Sequence, residues 1–396
     1  MAMFEIIDVE DNSNDLGTVI KVFGVGGAGG NAVDHMIREG VNGVEFVAAN
    51  TDAQALKRSG ASQKLRLGKT GRGAGAKPEV GREAAVEERE QIAESLKGAQ
   101  MVFITAGMGG GTGTGAAPIV AEVARELGIL TVAVVTKPFG FEGKRLKVAE
   151  AGIAELQKHV DSLIVILNDK LTDVLGEDVS MDDAFKAADN VLRNAVGGIA
   201  EIINYPGLVN VDFEDVRTVM SEMGMAMMGT ANAAGVDRAR IAAEQAVASP
   251  LLEGINLSGA KGVLVNITAT RSLKMKEVNE VMSTVRAFAA EDAHIIFGAV
   301  YDESMGEEIR VTVVATGLGQ AQTKRQPFEL INTPPIIVQA TGTDGGFAPN
   351  SSGPTDYSQF DTPAVIRNGR NAKVEALANS GVDRYDIPAF LRKQAD

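Results

Sequence analysis

The chain has 396 residues, a net charge of −14 and neither cysteine nor tryptophan. Without cysteine it has no disulfide, thiolate metal site or cysteine nucleophile, and we expect a reducing, cytoplasmic compartment. The histidines His35, His159 and His294 are scattered and predict no histidine-rich metal site. Because nucleic-acid affinity depends on clustered Lys and Arg, the acidic balance argues against a nucleic-acid partner.

The start of the chain predicts neither a membrane span nor a signal peptide. The opening "MAMFEIIDVEDNSND" has no basic flank and no apolar core, and apolar runs elsewhere fall short of the roughly 20 residues that a spanning helix needs. We expect a flexible N-terminus over residues 1–17 and no direct membrane insertion.

A glycine-rich loop follows the first predicted strand. "TVIKVFGVG" predicts a buried strand, and "NAVDHMIREG" predicts a helix that ends at a glycine. Between them, Gly24, Gly26 and Gly29 match the spacing of a dinucleotide-binding fingerprint. Alone this match is weak, and it leaves open both a nicotinamide oxidoreductase with Asp52 as a ribose ligand and a plain strand-to-helix turn.

A second glycine run, "GGGTGTG" at residues 109–115, again lies between a predicted strand and a predicted helix. Glycine loses more backbone freedom on folding than any other residue, so such a run needs a reason. Backbone N–H groups at a helix start, with the hydroxyls of Thr112 and Thr114, suit a chain of phosphates. A Walker-type loop is excluded, because the Gly-Lys-Thr at 68–70 has Gln63 in place of the leading glycine.

The pattern up to residue 319 predicts an α/β fold with a parallel sheet. "VEFVAAN", "MVFITAG", "LTVAVVT" and "DSLIVILN" are continuous apolar runs separated by helical stretches, as in a parallel sheet covered on both faces. We predict a Rossmann-like nucleotide-binding domain over 18–180, a long connecting helix over 181–206 and a smaller α+β domain over 207–319.

The composition changes after residue 319. Seven of the 12 prolines follow residue 320, and eight Lys/Arg balance eight Asp/Glu there. This segment cannot bury enough apolar surface to offset its ordering entropy, so we predict a disordered linker over 320–382. The terminal "DRYDIPAFLRKQAD", 383–396, favours a partner-docking peptide and a frayed terminus about equally. Its apolar anchors are Tyr385, Ile387, Phe390 and Leu391.

Two acids three residues apart, Asp212 and Asp215, lie in "NVDFEDV" at a predicted helix start. Locally the pattern favours an Asp cap with an acid at the third helical position. The same spacing puts both carboxylates on one helix face, where they are able to orient and polarise an attacking water.

The run "AGMGGGTGTGAAP" resembles the signature GGGTG[ST]G of the tubulin and FtsZ family. The resemblance extends from about residue 20 to 319 through "VGGAGGNAV", "NTDAQAL", "GAGAKPEVG", "VTKPFGFEG" and "VNVDFEDVRTVMSEMG", and returns in "DIPAFLRKQAD". It implies a GTPase that assembles head to tail into filaments and marks the bacterial division site at mid-cell. Its implied partners are other copies of itself and, through the terminal peptide, membrane-tethering and regulatory division proteins.

The resemblance also implies a set of nucleotide contacts. The phosphates are wrapped by Gly27, Ala28, Gly29, Gly30 and Asn31 and by Gly109, Gly110, Gly111, Thr112, Gly113 and Thr114, while Ala74 and Gly75 approach the terminal phosphate. Asn50 and Glu142 are the ribose and loop contacts, and Phe185 is a platform for the base. The basic run after "FEG" is one residue shorter than the family's, and Arg145 is its candidate for the arginine that reaches the nucleotide.

Asp189, with Asn168 of "ILNDKL" beside it, is the implied guanine contact. Guanine presents an N1–H and an N2 amino group side by side, a donor pair that one carboxylate accepts. Adenine would place an acceptor against the carboxylate, a buried mismatch that costs about 1–3 kcal/mol or more. From its helical position alone, Asp189 would be a solvated charge.

By the same resemblance, Asn210, Asp212 and Asp215 lie on the loop that each subunit inserts into its neighbour's nucleotide site, so that GTP hydrolysis requires assembly. Because phosphoryl transfer relies on positioning and charge neutralisation, we expect Mg²⁺ on the phosphates of GTP, without an assigned protein ligand. A structural filament that binds GTP with negligible turnover remains a second class of function, and substitution of Asp212 separates the two.

Overall fold

A computed structural model describes residues 18–318 apart from residues 177, 206, 210, 223, 250–259 and 291. Several predicted features lie outside the described residues, namely the N-terminus over 1–17, Asn210, the linker over 320–382 and the docking peptide over 383–396 with Tyr385, Ile387, Phe390 and Leu391. These features stay predictions.

Strands and helices alternate along the described chain. The strands are β1 (Ile20–Val25), β2 (Glu45–Asn50), β3 (Gln63–Arg66), β4 (Met101–Gly107), β5 (Leu130–Lys137), β6 (Ser162–Leu167), β7 (Gly224–Ala233), β8 (Gly262–Ala269), β9 (His294–Tyr301) and β10 (Ile309–Leu318). The helices are α1 (Gly26–Arg38), α2 (Ala53–Arg58), α3 (Pro78–Glu87), α4 (Arg89–Leu96), α5 (Thr112–Glu126), α6 (Lys144–Leu156), α7 (Asn168–Leu175), α8 (Met181–Asn204), α9 (Phe213–Met220), α10 (Arg238–Val247) and α11 (Met275–Phe288).

These strands join one sheet in the order β3-β2-β1-β4-β5-β6-β7-β10-β8-β9. The strands from β3 to β7 run parallel. β10 lies antiparallel between β7 and β8, and β9 runs parallel to β8. This arrangement confirms the predicted α/β class with a mostly parallel sheet. The parallel part continues into the region predicted as a smaller domain, residues 207–319, since Gly224 of β7 pairs with Ser162, the first residue of β6.

The continuous apolar runs form buried strands because helices cover both faces of the sheet. In β1, Val22 packs in a cluster with residues of α1 and α8, whereas its neighbour Phe23 packs on the opposite face with residues of α5, and neither is exposed. A third cluster, between α10, α11 and the strands β8 and β10, forms the core of the smaller domain. Because both faces of the sheet are buried, the exposed polar loops lie at the two edges where the strands begin and end.

The helix α8 runs along the sheet from one of these edges to the other. Its 24 residues span about 36 Å at 1.5 Å per residue. Near its start, Phe185 lines a cavity together with Gly107, the last residue of β4. At its end, the Asn204 amide donates a hydrogen bond to the carbonyl of Gly43, just before β2 begins. Within the described ranges, neither α8 nor another helix is long and apolar enough to cross a membrane.

Candidate functional site

The carboxyl ends of the parallel strands meet at one edge of the sheet, where they carry the predicted nucleotide loops. Asn50 ends β2, Gly107 ends β4, and Asn168 directly follows β6. Two cavities of about 500 and 360 Å³ lie at this edge, and Gly27 and Asn31 of α1 line both. We refer to the two cavities together as the groove.

Two helices begin at the groove. α1 starts directly after β1, and α5 starts at Thr112 within the second glycine run. Within the described structure, the N-cap residues of α1 and α5, Val25 and Gly111, make no side-chain hydrogen bond to the first turn, whereas Asp52 caps α2 and Asp212 caps α9. The first-turn N–H groups of α1 and α5, at the positive ends of the helix dipoles, therefore suit an anion.

Part of the glycine content is explained by packing within the chain itself. An ideal Cβ on Gly29 would lie 2.2 Å from the carbonyl oxygen of Thr105, and one on Gly113 would lie 2.6 Å from a backbone carbonyl oxygen of β4. No side chain fits at either position. Close packing between the loops and the strands thus accounts for glycine there without a ligand.

Other glycines of the same loops face open space. An ideal Cβ on Gly27 or Gly30 would have nothing within 4 Å in the described part of the chain, and one on Gly110 would approach the Arg145 guanidinium at 3.9 Å. None of the three glycines has a positive φ. Since neither packing nor backbone conformation requires glycine at these positions, a bound group that approaches the backbone closely supplies the reason.

A third loop, residues 73–77, packs against the second glycine run. An ideal Cβ on Gly111 would lie 2.8 Å from Lys77 N and 2.9 Å from the Ala74 Cβ. Gly75 and Ala76 have φ of 58° and 59°. This conformation costs a non-glycine residue about 1–3 kcal/mol. The packing therefore holds Ala74 and Gly75 beside the run against some backbone strain.

The smaller cavity has an aromatic wall and an unpaired polar group. Phe185 lines it with 45% of its surface exposed, and Phe139 contacts that ring edge-on at a centroid distance of 5.6 Å. Asn168, 5% exposed, lines the same cavity, and among the described residues its Oδ1 atom has no hydrogen-bond partner. A buried acceptor without a partner costs about 1–3 kcal/mol, so a ligand that donates a hydrogen bond fits there.

Asp189 of α8 places a second acceptor in this cavity. Burial raises the pKa of the Asp189 carboxyl from 3.8 to about 6, while interactions with His35 and Arg38 lower it by less. A carboxylate and an amide oxygen in one cavity match the adjacent N1–H and N2 amino donors of guanine. The cavity therefore meets the chemical requirements of a guanine site.

Replacing Asp189 by asparagine should stabilise the ligand-free protein at neutral pH. Its carboxyl has a pKa of about 6 in the folded protein against 3.8 as the reference value, so ionisation is unfavourable in the folded state. The free energy of unfolding contributed by this group therefore falls as the pH rises from 3.8 to 6. Thermal unfolding should show a higher Tm for Asp189→Asn at pH 7 and a smaller gain at pH 4. An equal gain at both pH values would contradict this account.

Glu142 and Arg145 connect the segment after β5 to the second glycine run. The Glu142 carboxylate accepts a hydrogen bond from Phe139 N–H at 3.0 Å and forms an ion pair with Arg145. Arg145 Nε donates to the Gly109 carbonyl at 3.3 Å. Arg145 thus lies against the run and lines the smaller cavity, while its contact with the nucleotide stays a prediction.

The polar side chains of the loops contact one another. The Thr114 hydroxyl accepts a hydrogen bond from Gly109 N–H at 2.9 Å, and Thr114 lines neither cavity of the groove. The Thr112 and Thr51 hydroxyls lie 2.6 Å apart, and both residues line the larger cavity together with Asn50. Thr114 therefore stabilises the backbone of the run by a hydrogen bond, whereas Thr112 and Asn50 line the groove.

The two acids of "NVDFEDV" do not line the groove. Asp212 caps α9 by accepting a hydrogen bond from Asp215 N–H at 2.8 Å, which confirms the cap, and both side chains are exposed. α9 leads into β7, whose first residue, Gly224, pairs with the first residue of β6. The acids thus lie in the segment after the far end of α8, where Val209 bridges Ala299 of β9.

Comparison with known proteins identifies the family. Residues 19–176 match the profile of the Tubulin/FtsZ family, GTPase domain, and residues 224–319 match that of the FtsZ family, C-terminal domain. The cell division protein FtsZ of Pseudomonas putida is 52% identical over 414 aligned residues, with 100% of both chains covered. This chain belongs to the FtsZ family. The FtsZ of Coxiella burnetii is 56% identical over 382 residues, covering 94% of this chain and 96% of the relative.

Two solved structures share the fold. A structure described as an empty FtsZ dimer from M. jannaschii is 44% identical with a TM-score of 0.74, and the match covers 77% of this chain and 90% of that one. CetZ2 from Haloferax volcanii has a TM-score of 0.64 at 20% identity, which shows the fold alone.

Membership of the FtsZ family decides between the functions that the first glycine loop left open. The matched GTPase domain, residues 19–176, contains both glycine runs. The predicted GTPase is therefore confirmed, and a nicotinamide oxidoreductase with Asp52 as its ribose ligand is wrong.

Two contacts around the groove were not predicted from the sequence. One is the Thr51–Thr112 hydroxyl pair described above, and the other joins the Asp169 carboxylate to Gly140 N–H at 2.8 Å. The donor of the second contact is a backbone N–H, which every residue but proline carries, so no sequence pattern predicts this contact. Its nearest sequence signal is the position of Asp169 next to Asn168.

Proposed function

We propose that this chain is an assembling GTPase whose active site forms between two subunits of a head-to-tail filament. The observation that carries the proposal is the separation of the groove, at the start of α8, from Asp212 and Asp215, which follow the end of α8. The 24 residues of α8, about 36 Å, lie between them. Stacking would bring the acids of one subunit to the groove of the next. The description of a solved relative as a dimer supports self-association.

In the proposed complex, guanine lies in the smaller cavity against Phe185, with Asp189 and Asn168 accepting its hydrogen bonds. The triphosphate lies along the open glycines and the first turns of α1 and α5. The open space at Gly27, Gly30 and Gly110 and the unpaired Asn168 Oδ1 support this fit. The remaining predicted contacts are Ala28, Gly29, Asn31, Asn50, Ala74, Gly75, Gly109, Gly111, Thr112, Gly113, Glu142 and Arg145, with Thr114 supporting the loop.

For hydrolysis, we propose that Asp212 and Asp215 of the neighbouring subunit orient and polarise a water. The water oxygen attacks the terminal phosphorus, the bond to the bridging oxygen breaks, and GDP and inorganic phosphate result. Asn210 is proposed as a further contact of this water. Mg²⁺ on the phosphates would neutralise charge during transfer. In the described part of the chain, no group of His, Asp and Glu residues could hold a metal ion without the nucleotide.

We further propose that the filament acts in bacterial cell division. The curated relatives carry the name cell division protein FtsZ. By this proposal the chain forms a cytoplasmic ring at mid-cell and recruits membrane-tethering and regulatory division proteins through residues 383–396. The proposal includes neither a nucleic-acid partner nor direct insertion of the chain into the membrane.

Removing residues 383–396 should separate assembly from recruitment. GTP hydrolysis and sedimentation with GTP and Mg²⁺ should match those of the full chain, because the groove and the acids lie within residues 18–318. Recruitment of division proteins in cells should be lost, and Phe390→Ala in the full chain should weaken it in the same way. Loss of hydrolysis on truncation would contradict this division of roles. If the full chain does not sediment with GTP, the assembly proposal itself is wrong.

The match to the GTPase domain speaks against the second class of function, a filament with negligible GTP turnover. The observation in its favour is that Asp212 already has a complete structural explanation as the cap of α9. The two candidates differ in what substitution of Asp212 does to phosphate release.

A further inference from the structure

The segment of residues 139–143 is here called the β5 turn, and the smaller cavity of the groove, with Phe185, Asn168 and Asp189, is called the base cavity. The β5 turn lies between the base cavity and the second glycine run. On one side, Phe139 contacts the ring of Phe185 edge-on and stacks on Phe141 at a centroid distance of 5.3 Å. On the other side, Glu142 of the turn pairs with Arg145, which donates to the carbonyl of Gly109. The β5 turn therefore contacts the smaller cavity directly and the second glycine run through Arg145.

The Asp169 side chain, which lies outside the turn, holds the second residue of the turn by a hydrogen bond. Asp169 Oδ1 accepts a hydrogen bond from Gly140 N–H at 2.8 Å. An ideal Cβ on Gly140 would lie 3.5 Å from Asp169 Oδ2, so the carboxylate sits close against the backbone of the turn. Asp169 directly follows Asn168, whose unpaired Oδ1 belongs to the base cavity. Two neighbouring residues of α7 thus contact the base cavity and the β5 turn.

A chain of contacts follows from this arrangement. It runs from Asn168 and Asp169 to Gly140 N–H, and along the backbone to Phe139, whose N–H donates to Glu142. From Glu142 it continues to Arg145 and ends at the Gly109 carbonyl. Gly109 is confined at this end, because an ideal Cβ on it would lie 2.7 Å from both the Arg145 carbonyl oxygen and Pro138 Cγ. A displacement of the β5 turn therefore displaces Arg145 and the start of the glycine run.

We propose that Asp169 is a positioning residue that links the base cavity to the phosphate-binding run through the β5 turn. The proposal rests on the proposed nucleotide site. Asp169 itself does not contact the nucleotide. By holding Gly140, it sets the position of Glu142 and Arg145, and through them the N–H groups around Gly109. A guanine base that fixes Asn168 also fixes the adjacent Asp169, so binding of the base prepares the run for the phosphates.

The test is a double-mutant cycle on the affinity of the full chain for a fluorescent GDP analogue. Asp169→Ala and Arg145→Ala should each weaken binding about tenfold, as expected for loss of one charge-assisted hydrogen bond. Because both residues act through one chain of contacts, the double variant should also bind about tenfold more weakly, not a hundredfold. Asp169→Asn keeps an acceptor oxygen for Gly140 N–H and should restore most of the affinity.

Asp161→Ala is the matched control, since Asp161 accepts a hydrogen bond from Thr131 N–H at the same 2.8 Å but at the amino edge of the sheet. It should lower the Tm without changing nucleotide affinity. A hundredfold loss in the double variant, no loss in Asp169→Ala, or no rescue by Asp169→Asn would overturn the positioning role alone. If the unsubstituted chain binds no guanine nucleotide, the proposed function is wrong and the positioning role with it.

Discussion

Asp212→Asn should abolish phosphate release while leaving GTP binding and assembly intact. Asparagine keeps the side-chain oxygen that accepts the hydrogen bond from Asp215 N–H, so the cap of α9 remains. What it removes is the negative charge that polarises the attacking water. Loss of one acid–base group typically costs about 10²- to 10⁴-fold in rate, and we expect a loss of at least about 100-fold here. The measurement is phosphate release at saturating GTP, with sedimentation measured in parallel.

Glu214→Gln is the matched control for this substitution. Glu214 is exposed, lies between Asp212 and Asp215 in sequence, and pairs with Arg217 at 3.6 Å. Its substitution should change phosphate release by no more than about twofold, because an exposed pair contributes little to stability. If Asp212→Asn releases phosphate at the unsubstituted rate, Asp212 is a helix cap alone and takes no part in hydrolysis.

Asp189→Asn should change the base preference of the site from guanine to xanthine. In xanthine the N2 amino donor of guanine is replaced by a carbonyl acceptor, and the asparagine amide supplies a donor that aspartate lacks. The N2 amino donor of GTP would then face the amide donor of the asparagine. Each such buried mismatch costs about 1–3 kcal/mol, or roughly 5- to 150-fold in affinity. Competition between GTP and XTP for the Asp189→Asn variant and the unsubstituted chain measures the change.

The control is Asp183→Asn, since Asp183 lies exposed in the first turn of the same helix and lines neither cavity of the groove. It should keep the preference for GTP. An Asp189→Asn variant that still prefers GTP over XTP would show that Asp189 does not contact the base edge, and the guanine assignment would fail.

The fold was largely predictable because its signals are local. Continuous apolar runs separated by helical stretches indicate buried parallel strands, and both glycine runs lie between such a strand and a helix. The joining of the two domains in one sheet could not be predicted. It depends on the pairing of Ser162 with Gly224, and strand register between distant segments has no signature in either segment alone.

The groove was only partly predictable because its decisive properties depend on burial. From its helical position, Asp189 is expected to be solvated, yet burial raises the pKa of its carboxyl to about 6. Thr114 looks like a phosphate ligand from its place among glycines, but its hydroxyl accepts a hydrogen bond from Gly109 N–H. Gly109 itself has a φ of +92°. Such contacts depend on the backbone path of the loop, which residue types do not specify.

The measurement that tests the shared active site most directly is phosphate release from GTP with Mg²⁺, per subunit, over a range of protein concentrations. The groove lies at the start of α8 and the acids follow its end, so in the proposed mechanism a lone subunit has no complete site. We therefore expect almost no release at low concentration, a threshold, and then a plateau as each groove meets the acids of a neighbour. A constant rate per subunit down to the lowest concentration would mean a self-contained site and would contradict the roles assigned to Asp212 and Asp215.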